Sequence, residues 1–204
     1  MRVCFAVSTC IEYAPRTLVP CLDSLLAAGV DKRDILVFGL DQRYPRMDEL
    51  QAAVYLTDHS YGFDWHFLLP CTSIAGPKFP GVVQKMGEIV TNENYDLMGF
   101  RPDIMVGHLG LFSLSFLREN RDRLLEYATW DQREKVQREI AGWIVKMAKH
   151  YGHFSAPEAP WVWDREMYGT KKVERHFPAL DLLKYTRPYR TINDIPAGKM
   201  ERAI

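Results

Sequence analysis

Short polar side chains follow each of the first three apolar runs in this sequence. Ser8, Thr9, Cys10 and Glu12 follow the run that starts at Val3; Asp41 and Gln42 follow Ile35 to Gly39; Thr72 and Ser73 follow Asp64 to Leu69. Hydroxyls and carboxylates of this size suit hydrogen bonding to a base, a ribose or a diphosphate. Ser, Thr and Asp also favour turns and caps for purely local reasons, so no single one marks a site. Agreement at three run ends points to a shared one. The segment Pro70-Cys71-Thr72-Ser73 carries no carboxylate, and a divalent cation asks for hard oxygen ligands.

Other chemistries find no support. Gly76-Pro77-Lys78-Phe79-Pro80-Gly81 lacks the G-K-[ST] ending of a phosphate loop. The first run leads into Ser8-Thr9-Cys10-Ile11-Glu12 rather than a G-x-G-x-x-G turn, and no G-x-S-x-G is present. Cys4, Cys10, Cys21 and Cys71 form no C-x-x-C pair, so their spacing offers no zinc site. His150 and His153 stand three apart, but Gly152 between them reads as a helix stop.

The polar groups need elements to hold them. Val3 to Ser8 reads as a buried strand. Pro15-Arg16-Thr17 opens a helix with Thr17 as N-cap and Pro20 in its first turn, and Gly29 stops it. Ile35 to Gly39 is a second strand, which makes a βαβ unit with a parallel pair. A helix carrying Leu50, Ala53, Val54 and Thr57 leads to a third strand, Asp64 to Leu69. Pro70 to Gly81, with three prolines and two glycines, reads as a loop before a short helix containing Val82, Val83, Met86, Ile89 and Val90. Asp96 to Phe100 and Ile104 to Val106 are strands. Leu117, Leu124, Leu125 and Ala128 form one helical stripe; a capping box at Thr129 and Gln132 starts another, running Val136, Ile140, Trp143, Ile144, Met147, Tyr151 and ending at Gly152. Asp131 lies at that helix start, where the dipole favours a carboxylate. Residues 154–204, rich in proline and aromatics, read as a tail packed over the domain with one hairpin.

The fold class expected is α/β: one Rossmann-like three-layer domain over 1–204 with a mainly parallel sheet. Residues 1–113 form the nucleotide-binding α/β part, 114–153 a helical part and 154–204 the C-terminal tail. With 204 residues, 47% of them hydrophobic and 25% charged, the chain has the composition of a globular protein. Lys plus Arg equals Asp plus Glu at 26 each, which argues against a general nucleic-acid binder. No run approaches the roughly 20 apolar residues of a transmembrane segment. The apolar start is too short for a signal peptide and is followed at once by Glu12 and Arg16. Free thiols in the cytoplasm are therefore expected.

Three stretches resemble the GT-A-fold nucleotide-sugar glycosyltransferases, family 2-like. They are Val3-Cys4-Phe5-Ala6-Val7-Ser8-Thr9 with the helix ending Leu25-Leu26-Ala27-Ala28-Gly29-Val30 and Asp34-Ile35-Leu36-Val37-Phe38-Gly39; Trp65-His66-Phe67-Leu68-Leu69-Pro70-Cys71-Thr72-Ser73-Ile74-Ala75-Gly76; and Val106-Gly107-His108-Leu109-Gly110-Leu111-Phe112-Ser113-Leu114-Ser115-Phe116-Leu117. The resemblance implies binding of a nucleotide sugar and transfer of the sugar to an acceptor hydroxyl. It implies Ser8, Thr9, Asp41, Thr72 and Ser73 against the nucleotide, His108 and Gly110 beside the donor sugar, and Asp131 or Glu134 as general base. In that family an Asp-x-Asp pair holds Mn²⁺ or Mg²⁺; here Cys71, Thr72 and Ser73 stand in its place. Metal-independent transfer is thus implied, with Lys78, Lys85 or Arg101 meeting the developing charge. A divalent cation stays open as a cofactor, with Asp41, Asp103 and His176 as its candidate ligands. Trp161, Trp163 and Tyr168 are candidates to stack on a sugar ring or to cover a core edge. A non-catalytic relative that binds a nucleotide, a sugar or a protein partner is the alternative, and a nucleotidyltransferase a third reading.

Overall fold

A computed structural model describes residues 1–11, 13–41, 54–59, 61–99, 110–128, 151–153, 174–177 and 180–185. The apolar run at the start forms β1 (Val3–Ser8), buried from Cys4 onward. Helix α1 (Ala14–Ala27) begins earlier than the Thr17 cap predicts, because the Cys10 carbonyl accepts from both Tyr13 N (3.0 Å) and Ala14 N (2.8 Å) and closes the first turn there. Pro15 takes the first-turn position, and Pro20 sits inside the helix. Thr17 is therefore internal and returns its hydroxyl to the Tyr13 carbonyl at 2.9 Å. The helix ends as the sequence predicts. Gly29 adopts φ +92°, its N–H meets Leu26 O, and Val30 N–H meets Leu25 O, both at 3.0 Å. Only glycine takes that backbone conformation without strain.

The chain continues through β2 (Ile35–Phe38), a helical stretch at 54–58, β3 (Trp65–Pro70), β4 (Ser73–Ala75), α2 (Phe79–Asn92), β5 (Leu97–Gly99), β6 (Gly110–Ser113), α3 (Leu114–Glu119), α4 (Arg121–Ala128), β7 (Tyr151–His153), β8 (Glu174–Phe177) and β9 (Leu182–Tyr185). The central sheet has the order β2-β1-β3-β6-β5-β7. β2, β1 and β3 are parallel, as are β5 and β7, and β6 alone runs against its two neighbours. The expected α/β class with a mainly parallel sheet is what the fold shows.

Alternation along the strands sorts side chains onto two faces. Phe5, Val7, Phe67, Leu69, Leu111 and Met98 meet Cys21 and Leu25 of α1 and Phe79, Val83, Met86 and Val90 of α2 in one core cluster. The alternate set, Cys4, Ala6, His66, Leu68, Phe112 and Leu97, is buried on the other face. The stretch 54–58 flanks that face through Tyr55, whose ring packs edge-on to Phe38 at 5.6 Å. It is tied to α3 and α4 by Arg118 Nε donating to Thr57 O (3.4 Å) and by a two-point ion pair of Arg121 with Asp58 at 2.7 and 2.8 Å. Among the described residues, no helix is long and apolar enough to cross a membrane.

Three expectations are corrected. Ser73–Ala75 is a strand, not part of a loop, because β9 pairs with it antiparallel, Ala75 opposite Leu182. Tyr151 and Gly152 do not finish a helix; they lie in β7, drawn into the sheet by parallel pairing with Leu97 and Met98. The single stripe through Leu117 and Leu124 is broken at Asn120, whose side-chain amide donates to Phe116 O at 2.8 Å and closes α3. The expected hairpin in the tail is present as β8 and β9, and Leu180 and Leu182 join the core cluster. The expected strand at 104–106 and the helix through 136–150 lie outside the described residues.

Asp181, in the hairpin turn, caps α2 from across the structure. Its Oδ2 accepts from Lys78 N at 2.8 Å, its carbonyl accepts from Gly76 N at 2.8 Å, and its φ is +49°. A carboxylate at a helix N-terminus gains from the dipole, and Asp tolerates the left-handed region better than most residues. Asp181→Ala is expected to lower stability by about 1–2 kcal/mol. Asp181→Asn should cost least, because it keeps an acceptor and tolerates the φ. Urea midpoints of the variants check the order; Ala equal to Asn would refute the cap.

Candidate functional site

In an open α/β sheet the crevice beyond the carboxyl ends of the strands collects ligands. Here that edge is fixed by register. Ser8 pairs with Phe38 on one side and Pro70 on the other; Gly99 pairs with Gly110 on one side and His153 on the other. Gly110 opens β6, the reversed strand, so its first residue falls on the edge where the other strands end. Strands about 4.8 Å apart with a rise of about 3.3 Å per residue, and a register that sets Gly110 level with Leu68, put Gly110 roughly 12 Å from Ser8 across β3.

The end of β1 is held from both sides. Thr9 N donates to Phe38 O at 2.9 Å and Cys71 N donates to Ser8 O at 2.8 Å. Ser8 and Thr9 are both buried, and the Thr9 hydroxyl, on a residue only 2% exposed, has no hydrogen-bond partner among the described residues. Thr72 is half-buried at the turn after β3, and Asp41 is exposed beyond the end of β2. The register thus brings Ser8, Thr9, Thr72 and Gly110 to one edge.

Ser73 is placed differently from its neighbour Thr72. It begins β4, is fully buried, and its hydroxyl has no partner among the described residues. His108, Asp131 and Glu134 lie outside the described residues, as do Arg101, Asp103, Trp161, Trp163 and Tyr168. His176 lies in β8. Lys78 directly precedes α2 with its side chain exposed.

Sequence reasoning missed what fastens the segment after β3. One face of α1 presents Thr17, Cys21 and Ser24. The Thr17 hydroxyl lies 3.0 Å from the Cys71 thiol, the Ser73 N–H faces the Cys21 sulfur, and Ala75 N donates to Ser24 Oγ at 3.0 Å. The signal was present: three small polar residues spaced for one helix face, opposite a strand in which every second residue meets them. This lacing turns the segment into a rigid rung against α1.

Cys4 and Cys21 are poor nucleophiles. Burial pushes the Cys4 thiol up to about 12, helped by the nearby Asp34 carboxylate and opposed by Arg2. Burial also drives the Cys21 thiol upward; nearby Cys71 adds to this and the Ser73 N–H opposes it. Thiolate chemistry needs the opposite shift. No group of three or more His, Cys, Asp or Glu side chains among the described residues is arranged to hold a metal ion.

No protein-family model matches the sequence, and no curated protein is similar to it in sequence. Solved structures are similar in fold. S. aureus TarS 1–349 superposes with a TM-score of 0.52 at 8% identity, over 76% of this chain; this chain spans only 58% of that one. A glycosyltransferase involved in glycosylation of the major capsid of PBCV-1 superposes with a TM-score of 0.50 at 10% identity, over 75% of this chain and 82% of that chain. A cytidylyltransferase from Leptospira borgpetersenii serovar Hardjo-bovis gives 0.50 at 11% identity, over 76% of each. The chain therefore shares its fold with a glycosyltransferase and a cytidylyltransferase, at identities that establish the fold alone.

Proposed function

We propose that the protein binds a nucleotide sugar at the carboxyl edge of its sheet and transfers the sugar to an acceptor hydroxyl without a metal, in the cytoplasm. Thr9 carries the reading. Its hydroxyl is buried at the end of β1 with no partner among the described residues, and such a group costs about 1–3 kcal/mol. The hydroxyl is enclosed, so a ligand oxygen or nitrogen removes that cost only where the end of β1 opens to admit it. This is the strand end where the family resemblance expects the nucleoside. The shared fold with a glycosyltransferase is consistent with the same assignment.

In this reading Ser8, Thr9, Thr72 and Asp41 meet the nucleotide. Ser73 joins them only if β4 shifts, since it is fully buried. Gly110 and His108 lie beside the donor sugar, and Asp131 or Glu134 takes the acceptor proton. Lys78, Lys85 or Arg101 offsets charge on the leaving diphosphate. The non-catalytic reading has an observation of its own: the segment Cys71 to Ser73 has no carboxylate and is laced to α1.

A thermal-shift panel of UDP-, GDP-, CMP- and dTDP-sugars, with and without Mn²⁺, tests the proposal. One donor at about 100 times its Kd should stabilise by about 2.7 kcal/mol, or roughly 5–10 °C for a chain of this size. Mn²⁺ should add nothing, and Thr9→Val should weaken binding about tenfold, equivalent to ~1.4 kcal/mol. Slow donor hydrolysis separates an enzyme from a binder. No shift with any donor refutes the nucleotide-sugar site. A Mn²⁺ requirement refutes the metal-free mechanism and redirects attention to Asp41, Asp103 and His176.

A further inference from the structure

A group of aromatic rings stands exposed beside β2, outside the machinery described so far. Phe38, the last residue of β2, meets Tyr55 edge-on. Tyr55 stacks on His59 at 4.4 Å with 19° between the planes, as the i, i+4 spacing of a helical turn allows. Tyr61 lies 6.2 Å from each of them, at 30° and 24°. The two phenol oxygens are hydrogen-bonded at 2.6 Å. Three rings therefore hold nearly parallel planes, yet Tyr55 is 41% exposed and Tyr61 52%.

The arrangement is held in place. Tyr61 has φ +45°, which is uncommon for a bulky residue. Its carbonyl accepts from Arg2 Nη1 at 2.9 Å, and Arg2 is itself paired with Asp34 at 2.7 Å. His59 Nδ1 lies 3.2 Å from Tyr55 O. The surface is ordered before any ligand arrives, which lowers the cost of binding.

Its chemistry narrows the occupant. The two nearby guanidiniums, Arg2 and Arg121, are engaged with Asp34 and Asp58, so among the described residues a phosphate backbone would find no uncommitted guanidinium there. A wholly apolar partner would strip water from two phenol groups and an imidazole without replacing those bonds. A pyranose ring has an apolar C–H face to lie on the rings and hydroxyls at its rim to bond the Tyr55 and Tyr61 oxygens and the imidazole. The patch runs from Phe38, at the carboxyl end of β2, to Tyr61, which Arg2 holds near the amino edge of the sheet.

We propose that Tyr55, His59 and Tyr61 form a shelf for a pyranose ring of an oligosaccharide acceptor. The word acceptor rests on the transferase reading; the sugar-binding shelf does not. The test is a ¹H–¹³C NMR titration of the full chain, carrying ¹³C-labelled tyrosine, with chitopentaose, cellopentaose and maltopentaose, and with adenosine as a stacking control. At least one oligosaccharide should shift the Tyr55 and Tyr61 ring signals saturably. Tyr61→Ala and Tyr55→Ala should each weaken that binding about tenfold, while Tyr55→Phe, which keeps the ring, should weaken it about threefold or less. Tyr61→Ala keeps the test open should loss of the Phe38 contact unfold Tyr55→Ala. Absence of shifts with all three sugars, or equal shifts with adenosine, overturns the shelf. Ring shifts from a sugar without stabilisation by any nucleotide sugar keep the shelf and overturn the transferase reading. Donor stabilisation without ring shifts does the reverse.

Discussion

Replacing Phe67 with Ala is expected to lower the unfolding free energy by about 3–5 kcal/mol. Phe67 is fully buried in β3, between β1 and β6. Its ring meets Phe79 of α2 nearly perpendicular, at 5.4 Å and 84°, and Phe5 of β1 at 6.3 Å. Truncation therefore removes one of the contacts between α2 and the sheet and leaves a cavity lined by two further aromatic rings. Phe67→Leu should cost far less, because it keeps most of the volume. The Phe79→Ala variant loses the same pair from the other side. The double variant should fall short of the summed single losses by about 0.5–1.5 kcal/mol, the usual worth of an edge-to-face pair beyond its area. Urea titrations with an unchanged slope would report this as stability rather than altered unfolded-state compactness. A loss below 1 kcal/mol for Phe67→Ala would show that the core relaxes to fill the gap and that the three rings are not its centre.

The parts of this fold that were legible in sequence are those decided locally. Val3 to Ser8 is an apolar run with no competing period, and Gly29 supplies the one backbone conformation that its neighbours resist. β4 and β7 were not legible, because distant partners decide them. Ser73–Ala75 lies between Pro70 and Pro77 and looks like a loop until Leu182 to Lys184 pair with it. Tyr151 falls in phase with the helical stripe ending at Met147, and Gly152 looks like a helix stop; pairing with Leu97 and Met98 overrides both signals. The candidate site divides in the same way. Residue type alone marked Ser8, Thr9, Thr72 and Ser73 as hydrogen-bonding groups. Burial separated them, and burial depends on α1 lying across the segment from Cys71 to Ala75. The aromatic shelf was invisible for a related reason: its alignment depends on the φ of Tyr61 and on Arg2, far away in sequence.

Replacing His66 should change how stability depends on pH. His66 sits in the middle of the sheet, fully buried, with Cys4 beside it on β1 and Phe112 edge-on at 6.4 Å on β6. Neither ring nitrogen has a hydrogen-bond partner among the described residues. Burial alone holds its pKa down to about 3, so the folded imidazole stays neutral through most of the acid range. In the unfolded chain the group takes up a proton below about pH 6.5. Between those limits the unfolded state binds more protons, so stability falls as pH falls. The contribution is complete above pH 6.5 and drains at up to about 1.4 kcal/mol per pH unit, so that roughly 2 kcal/mol is gone at pH 5. His66→Phe removes this dependence and, at neutral pH, the cost of an unpaired polar group, about 1–3 kcal/mol. The larger ring could offset that gain through overpacking, so His66→Met serves as a second variant of different shape. The decisive quantity is the slope, which packing does not alter. The difference in urea-derived stability between either variant and the parent should widen by about 2 kcal/mol from pH 7.5 to pH 5. Parallel curves over that range would mean that the buried imidazole takes up a proton or finds a partner in the folded chain, and the account of an orphaned neutral histidine would be wrong.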